Sequence, residues 1–304
     1  MLASLEAQDI LEPWELVIVD NCSKWAIKDS GPLLPNNIST RVVREERLGL
    51  SYARCAGIKQ ASAELICFVD DDNILTPSYL STAVRVARSE PKLGVFGGKA
   101  IGEFSSEPGG LIRYYLPFYG VRDMGEAELT GKGEVWEEAE PIGAGMVCRS
   151  IIANVFRQFV EDSDGACGLG RAGNSLLSGE DTLFSRLAFK LNYLVGYRPS
   201  LSLLHVVSSS RMTFGYLFRL MVAHGRTHVV LERLSGRPPQ GPNRWLVAEL
   251  VMRFLHRTKA PGLMEGIGHF WWDIGYFEQI REVSMEAQYA KAARVLAQIF
   301  ATKR

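Results

Sequence analysis

The sequence predicts an α/β protein, with a mostly parallel sheet flanked by helices and a helical region at the C-terminal end. Three observations carry this. Two short runs, Glu15–Asp20 (ELVIVD) and Leu65–Val69 (LICFV), are apolar at successive positions and stop at carboxylates, as strands covered on both faces do. Between them Leu48–Ala61 has apolar residues at helical spacing. After His205 the pattern is helical over most of the remaining chain.

Taken in order, ELVIVD is a buried strand closed by the polar turn Asp20-Asn21-Cys22-Ser23. Arg41–Arg44 reads as a second strand and Leu65–Val69 as a third, which ends abruptly at Asp70-Asp71-Asp72-Asn73. Thr76 and Pro77 then open a helix to about Arg88, with Thr76 as its cap and Pro77 in its first turn. Leu93–Gly97 is a fourth strand, and the Gly-, Pro- and aromatic-rich stretch 103–140 has no readable periodicity. A helix is expected from near Ser150, another over Gly179–Leu191, and short strands at Tyr193–Gly196 and Leu201–Leu204. Phe214–Leu234, Trp245–His256 and much of Met264–Phe300 are expected to be helical, with Gly236–Pro242 as a linker. The division this suggests is an α/β domain over 1–210 and a helical region over 211–304.

Lys+Arg and Asp+Glu both number 34, so the chain lacks the basic surplus of a nucleic-acid-binding protein. Five cysteines (Cys22, Cys55, Cys67, Cys148, Cys167) at irregular spacing read as reduced thiols, not as a disulfide frame or zinc site. No apolar run is long enough to span a bilayer, and the first residues carry no signal-peptide pattern. The expected location is therefore the cytoplasm, or the cytoplasmic face of a membrane as a peripheral protein.

Ligands of open α/β sheets bind beyond the carboxyl ends of the strands, and acidic groups cluster there. Asp20 ends the first visible strand, and Asp70-Asp71-Asp72 ends the third. Adjacent carboxylates repel one another unless a cation or strong donors offset them, and hard oxygen ligands suit Mg²⁺ or Mn²⁺. A solvated acidic turn before a helix is the plainer explanation of DDD taken alone. Its place immediately after a wholly apolar strand favours a divalent cation.

The ordered set Arg47-Leu48-Gly49-Leu50-Ser51-Tyr52-Ala53-Arg54-Cys55-Ala56-Gly57-Ile58, Ala61, Ile66-Cys67-Phe68-Val69-Asp70-Asp71-Asp72-Asn73 and Pro77 resembles the donor-binding half of family 2 nucleotide-sugar glycosyltransferases. The resemblance extends over roughly Glu15 to His205. It implies a GT-A fold, Rossmann-like, with a mostly parallel sheet between helices. It also implies a nucleotide-diphosphate sugar donor and a divalent cation, Mn²⁺ or Mg²⁺. By the same resemblance Asp20 contacts the nucleobase, Arg54 lies along the nucleotide, Asp70 and Asp71 belong to the nucleotide-sugar site with Asp71 near the ribose, and Asp72 is the metal ligand. A turn-forming aspartate and a helix-surface arginine are the plain alternatives for Asp20 and Arg54.

Pro141-Ile142-Gly143-Ala144-Gly145-Met146 is a segment whose glycines let the backbone approach a ligand closely. In the family a similar segment lines the donor sugar and acceptor side, which assigns Gly143, Ala144 and Gly145 there. Ser178-Gly179-Glu180-Asp181 resembles the family's ED motif at a helix start. An inverting transfer needs a base opposite the leaving diphosphate, and a carboxylate in reach of the acceptor hydroxyl can serve. The resemblance makes Asp181 that base, with Glu180 binding the acceptor or orienting Asp181. Two acids complementing a helix dipole are the alternative. His205 matches the region where many GT-A enzymes place a late metal ligand or diphosphate contact; a structural histidine is the alternative. His224 and His228, one helical turn apart with no third ligand evident, read as structural.

Family members usually have an apolar strand before the helix preceding ELVIVD, whereas this chain starts within what reads as that helix. The expectation is that either the true start lies upstream of this sequence or the sheet lacks a central strand next to the nucleotide. The function expected is inverting transfer from a nucleotide-diphosphate sugar to the hydroxyl of a glycan or lipid-linked acceptor, in polysaccharide or glycoconjugate synthesis. The rival is a non-catalytic sugar-nucleotide or glycan-binding relic, against which the intact ED pair argues. No Gly-rich phosphate loop that would suggest a nucleotidyltransferase is visible. The aromatic C-terminal helices (Phe270, Trp271, Trp272, Tyr276, Phe277) are read as packing elements or, more sharply, as a peripheral membrane contact.

Overall fold

The computed structural model describes residues 1–25, 27, 38–133, 137–163, 168–237, 246–259, 263–281 and 286–301. Cys167, Trp245 and the linker residues 238–242 lie outside the described residues. The chain divides into two compact units. The first comprises Met1–Glu103, Gly120–Glu161 and Glu180–Val206; the second comprises Phe104–Tyr119, Asp162–Gly179 and Val207–Arg304.

The first unit is an α/β assembly. It opens with a short helix α1 (Leu2–Glu6), then β1 (Glu15–Asn21) and β2 (Ser39–Glu45), which pair in parallel with Asp20 opposite Arg44. Helix α2 (Leu50–Gln60) leads to β3 (Leu65–Cys67). The strand expected over 65–69 stops at Cys67 because the aspartates form a tight turn. Asn73 N–H donates to the Asp70 carbonyl (3.0 Å), and the Asp70 N–H donates to the Asn73 side-chain oxygen (3.1 Å). That turn feeds β4 (Asn73–Leu75), a strand with no signal in the local sequence.

Helix α3 (Tyr79–Ser89) begins later than the Thr76-Pro77 pattern suggests. The Thr76 hydroxyl, expected as a cap, donates instead to the Ser202 carbonyl at 2.9 Å, which keeps Thr76 on the sheet. Strand β5 (Leu93–Phe104) follows. The aromatic stretch yields α4 (Gly110–Tyr114), which lies in the second unit, and β6 (Leu129–Gly131). Next come β7 (Val147–Arg149), α5 (Ser150–Asp162), α6 (Glu180–Lys190) and β8 (Leu194–Val207).

The larger sheet runs β3-β7-β5-β8-β4, with β6 also on β8, while β1 and β2 form a two-stranded sheet of their own. Strand β7 is antiparallel to both β3 and β5, so those two run the same way. Between β5 and β8, Leu194 N–H donates to the Lys92 carbonyl (2.8 Å), and Gly98 further along meets the carbonyls of Arg198 and Leu201. The two chains therefore advance together. The parallel set expected from the apolar runs is joined by β7, β4 and β6, which run against it.

Strand β8 continues through Pro199, where two separate short strands were expected. It pairs with β6 around Tyr197 and with β4 around His205. Proline lacks an N–H and is tolerated between these two stretches of pairing. The core holds Tyr79, Val86, Leu93, Phe96, Val147, Leu201 and Leu203 on one side. On the helices α5 and α6, Phe156 stacks on Phe184 with ring centres 4.1 Å apart.

The second unit is mostly helical: α7 (Phe214–Leu234), α8 (Leu246–Lys259), α9 (Leu263–Arg281) and α10 (Glu286–Ala301). Thr213 caps α7 by accepting from the Tyr216 N–H. Helices α7 and α9 approach through glycines. A Cβ on Gly225 would lie 2.0 Å from the Trp272 carbonyl oxygen, and one on Gly275 would lie 1.9 Å from that of Val222. His224 meets the Phe118 ring and His228 the Trp272 and Tyr276 rings, consistent with packing roles. No helix among the described residues is long and apolar enough to cross a membrane.

Candidate active site

The ends of β3, β4 and β8, the start of α6 and the 140–145 segment bring most of the expected residues into the first unit. Asp72 and His205, far apart in sequence, meet: the Asp72 Oδ2 lies 3.4 Å from His205 Nε2. The β4–β8 register, with Asn73 opposite His205, and a Val206 N–H donated to the Asp72 carbonyl (2.8 Å) fix this meeting. The Asn73 side-chain amide donates to Asp72 Oδ1 (3.0 Å). On the far side of the ring, His205 Nδ1 is 3.2 Å from the Gly120 carbonyl. A carbonyl can only accept, so Nδ1 carries the proton and Nε2 faces the Asp72 carboxylate. The described residues contain no cluster of three or more His, Cys, Asp or Glu side chains arranged to hold a metal. Asp72 and His205 still fit a cation that draws its remaining ligands from substrate phosphate and water. The back-side carbonyl on Nδ1 is the usual partner of a ligating imidazole.

Asp181 sits in the first turn of α6. Its Oδ1 accepts from the Thr182 N–H at 2.8 Å, and its Oδ2 accepts from the Gly143 N–H at 3.1 Å. A helix N-terminus and a loop amide thus aim the carboxylate together. Glu180 is buried, and its Oε1 lies 3.3 Å from Arg54 Nη1. Burial pushes the Glu180 carboxyl up, Arg54 opposes this, and the neighbouring charges of Asp181 and Asp70 add to it. Asp70, Glu180 and Asp181 are therefore electrostatic neighbours. Asp71 is exposed at the turn.

The other expected donor contacts have partners within the chain. Asp20 is buried and accepts from the N–H groups of Ser23 (3.1 Å) and Ile27 (3.0 Å) and from Arg44 Nη1 (2.7 Å). Hydrogen bonds from Ser23 and Ile27, joined by the Arg44 guanidinium, hold its carboxyl well below the usual range despite the burial. Arg54 is buried against Glu180 and the Phe68 ring. Of the loop residues, Gly143 lies against Arg54. Gly145, at a φ of 69°, packs under the Tyr79 hydroxyl, which donates to its carbonyl at 2.6 Å. Ala144 is half-buried against the core.

Sequence reasoning missed Glu140, Arg122 and Arg186. Glu140 is buried with its Oε1 3.2 Å from Arg186 Nη2. Burial pushes its carboxyl up to about 7; Arg186 opposes this and the Asp181 charge reinforces it. Arg122 donates to the carbonyls of Glu138 and Glu140 and feels the charges of Asp181 and Glu140. The signal that could have found Glu140 is its place directly before the flagged Pro141–Met146 segment. Cys22, Cys55, Cys67 and Cys148 are free thiols, as expected.

The first unit thus carries the carboxylate–imidazole pair Asp72–His205 and the helix-start carboxylate Asp181 on one α/β scaffold. Residues 1–123 match the family model described as glycosyl transferase family 2. No curated protein sequence matches the chain. Among solved structures it is similar to TarS 1-349 of S. aureus in complex with UDP, at 17% identity, 94% of this chain, 87% of that chain and a TM-score of 0.41. It is also similar to TarS 1-349 in complex with UDP-GlcNAc, at 15% identity, 100% and 86% coverage and a TM-score of 0.42. For S. aureus TarS the figures are 17% identity, 99% and 51% coverage and a TM-score of 0.48.

Proposed function

We propose that the chain is a metal-dependent, inverting glycosyltransferase that moves a sugar from a nucleotide-diphosphate donor to an acceptor hydroxyl. The observation that carries this reading is the meeting of Asp72 with His205 in the same unit as the helix-start carboxylate Asp181. Asp72 and His205 would hold Mn²⁺ or Mg²⁺, which, when bound, offsets the charge of the leaving diphosphate. Asp181, aimed by Thr182 and Gly143, takes the proton of the acceptor hydroxyl. The acceptor oxygen bonds to the anomeric carbon while that carbon's bond to the diphosphate oxygen breaks, and the electron pair leaves with the diphosphate. One displacement from the opposite face inverts the anomeric configuration. The acceptor in this reading is a glycan or lipid-linked hydroxyl, met in the cytoplasm or at the cytoplasmic face of a membrane.

The test follows release of nucleoside diphosphate from a panel of UDP-, GDP- and dTDP-sugars with Mn²⁺, beside calorimetric binding of the nucleotides. Asp181→Asn keeps shape and loses basicity, so turnover should fall by about a hundredfold or more with nucleotide binding unchanged. Asp72→Ala should abolish the response to Mn²⁺. Wild-type turnover by Asp181→Asn removes that residue from the mechanism. Full activity in chelator removes the cation. Nucleotide binding without turnover of any donor favours the binding-relic reading.

A further inference from the structure

We infer that Arg54 is a positioning residue: paired with buried Glu180, it holds the Gly143 backbone and the Asp181 carboxylate in place, and it acts on transfer through them without touching the donor. This rests on the reading of Asp181 as the base.

The inference starts from where the guanidinium lies. Arg54 comes from α2 and Glu180 from α6, and both side chains are almost wholly removed from solvent, at 4% and 6% exposed. The Arg54 guanidinium lies over the Phe68 ring at 5.2 Å, and Phe68 packs on Phe184, one turn along α6 from Glu180. The ring and the Glu180 carboxylate thus both contact the guanidinium. The third wall is the loop. A Cβ on Gly143 would fall 2.4 Å from Arg54 Nη2, so the loop backbone lies directly against the cation. The N–H of that same glycine is the one donated to Asp181 Oδ2. Helix α2, the 140–145 loop and the start of α6 thus meet at one buried cation.

Charge gives the arrangement its purpose. Glu180 and Asp181 are adjacent acids with Asp70 nearby, and two such carboxylates disfavour each other's ionised form. Arg54 is the cation that compensates the inner one. Arg54 Nη1 and Glu180 Oε2 make no aligned hydrogen bond among the described residues, so the pair is held by charge and packing more than by hydrogen-bond geometry. A donor contact would need this guanidinium to leave a site enclosed by ring, acid and glycine backbone.

The experiment compares wild type, Arg54→Lys, Arg54→Met, Asp181→Asn and the double variant Arg54→Lys/Asp181→Asn in the full chain. Arg54→Lys keeps the charge and guards against a fold lost in Arg54→Met; melting temperature is recorded for each. Binding of UDP, GDP and dTDP with Mn²⁺ should stay within about threefold of wild type in both Arg54 variants, while turnover at saturating donor falls about tenfold or more. In the Asp181→Asn background Arg54→Lys should add no further loss, because its effect passes through Asp181. Hydrogen exchange needs no activity: amides at 142–145 and 180–183 should exchange about tenfold faster in Arg54→Lys. Nucleotide affinity reduced more than tenfold with turnover at saturation unchanged would make Arg54 a donor contact and overturn the inference. Fully additive effects with Asp181→Asn, or unchanged exchange, would overturn it too. Should wild type turn over no donor, the glycosyl-transfer reading fails, and the exchange result alone decides whether the pair positions the loop.

Discussion

Replacing Glu140 by glutamine should change how the stability of the protein depends on pH. The Glu140 carboxyl is 8% exposed, and burial raises it from 4.5 to about 7. For a group raised on folding, the stabilising contribution is complete below its unfolded value and is lost as pH rises through the folded one. The folded state thus holds a proton near pH 6 that the unfolded chain has released. A displacement of this size, at 1.36 kcal/mol for each unit, amounts to about 3 kcal/mol lost by wild type between about pH 4 and about pH 8. Glutamine mimics the protonated acid and cannot ionise, so Glu140→Gln should lack this slope. The other carboxylates, Glu180 included, are common to both proteins and cancel in the difference. Urea unfolding at a series of pH values reads it directly. The stability difference, variant minus wild type, should rise by about 3 kcal/mol over that range, equivalent to roughly 6–12 °C in melting temperature. Part of Glu140's environment is the Arg186 cation, which shifts the difference by a constant without altering its pH slope between these limits. Parallel stability curves for the two proteins would refute the reasoning and show that Glu140 titrates alike in the folded and unfolded states.

Two further outcomes concern the fold. Gly225→Ala should destabilise by roughly 1–3 kcal/mol in thermal melts, because the new Cβ meets the Trp272 carbonyl. Helix propensity alone predicts a gain of about 1 kcal/mol, so the sign decides whether the α7–α9 approach is real. Asp20→Asn should lower the melting temperature at neutral pH, with a deficit that shrinks as the pH falls below about 4. The reason is that a carboxyl held low by Ser23, Ile27 and Arg44 contributes only while ionised. An equal deficit at both pH values would place its role in packing.

Much of the architecture was legible locally because hydrophobic period is a property of neighbouring residues. The apolar run of β1, the helix from Phe214 to Leu234 and the helical start at Glu180 follow from spacing and end signals alone. So did the family, because the Arg47–Asn73 stretch carries its residues in order. Strands β4 and β7 were not legible: three residues each are too short for a period, and they exist because β8 and the β3–β5 pair supply their hydrogen bonds.

The site divides along the same line. Residue type and order, read with the family resemblance, singled out Asp72 after a strand and Asp181 at a helix start as the candidate carboxylates. Only the tertiary structure decided their company. The register of β4 on β8, not any feature near His205 in sequence, brings the imidazole to Asp72. Helix α6 turns Glu180 inward to Arg54, and the β1–β2 register gives Asp20 to Arg44. An ionised group takes its partner from whatever the fold packs beside it, and packing joins residues that the sequence keeps far apart.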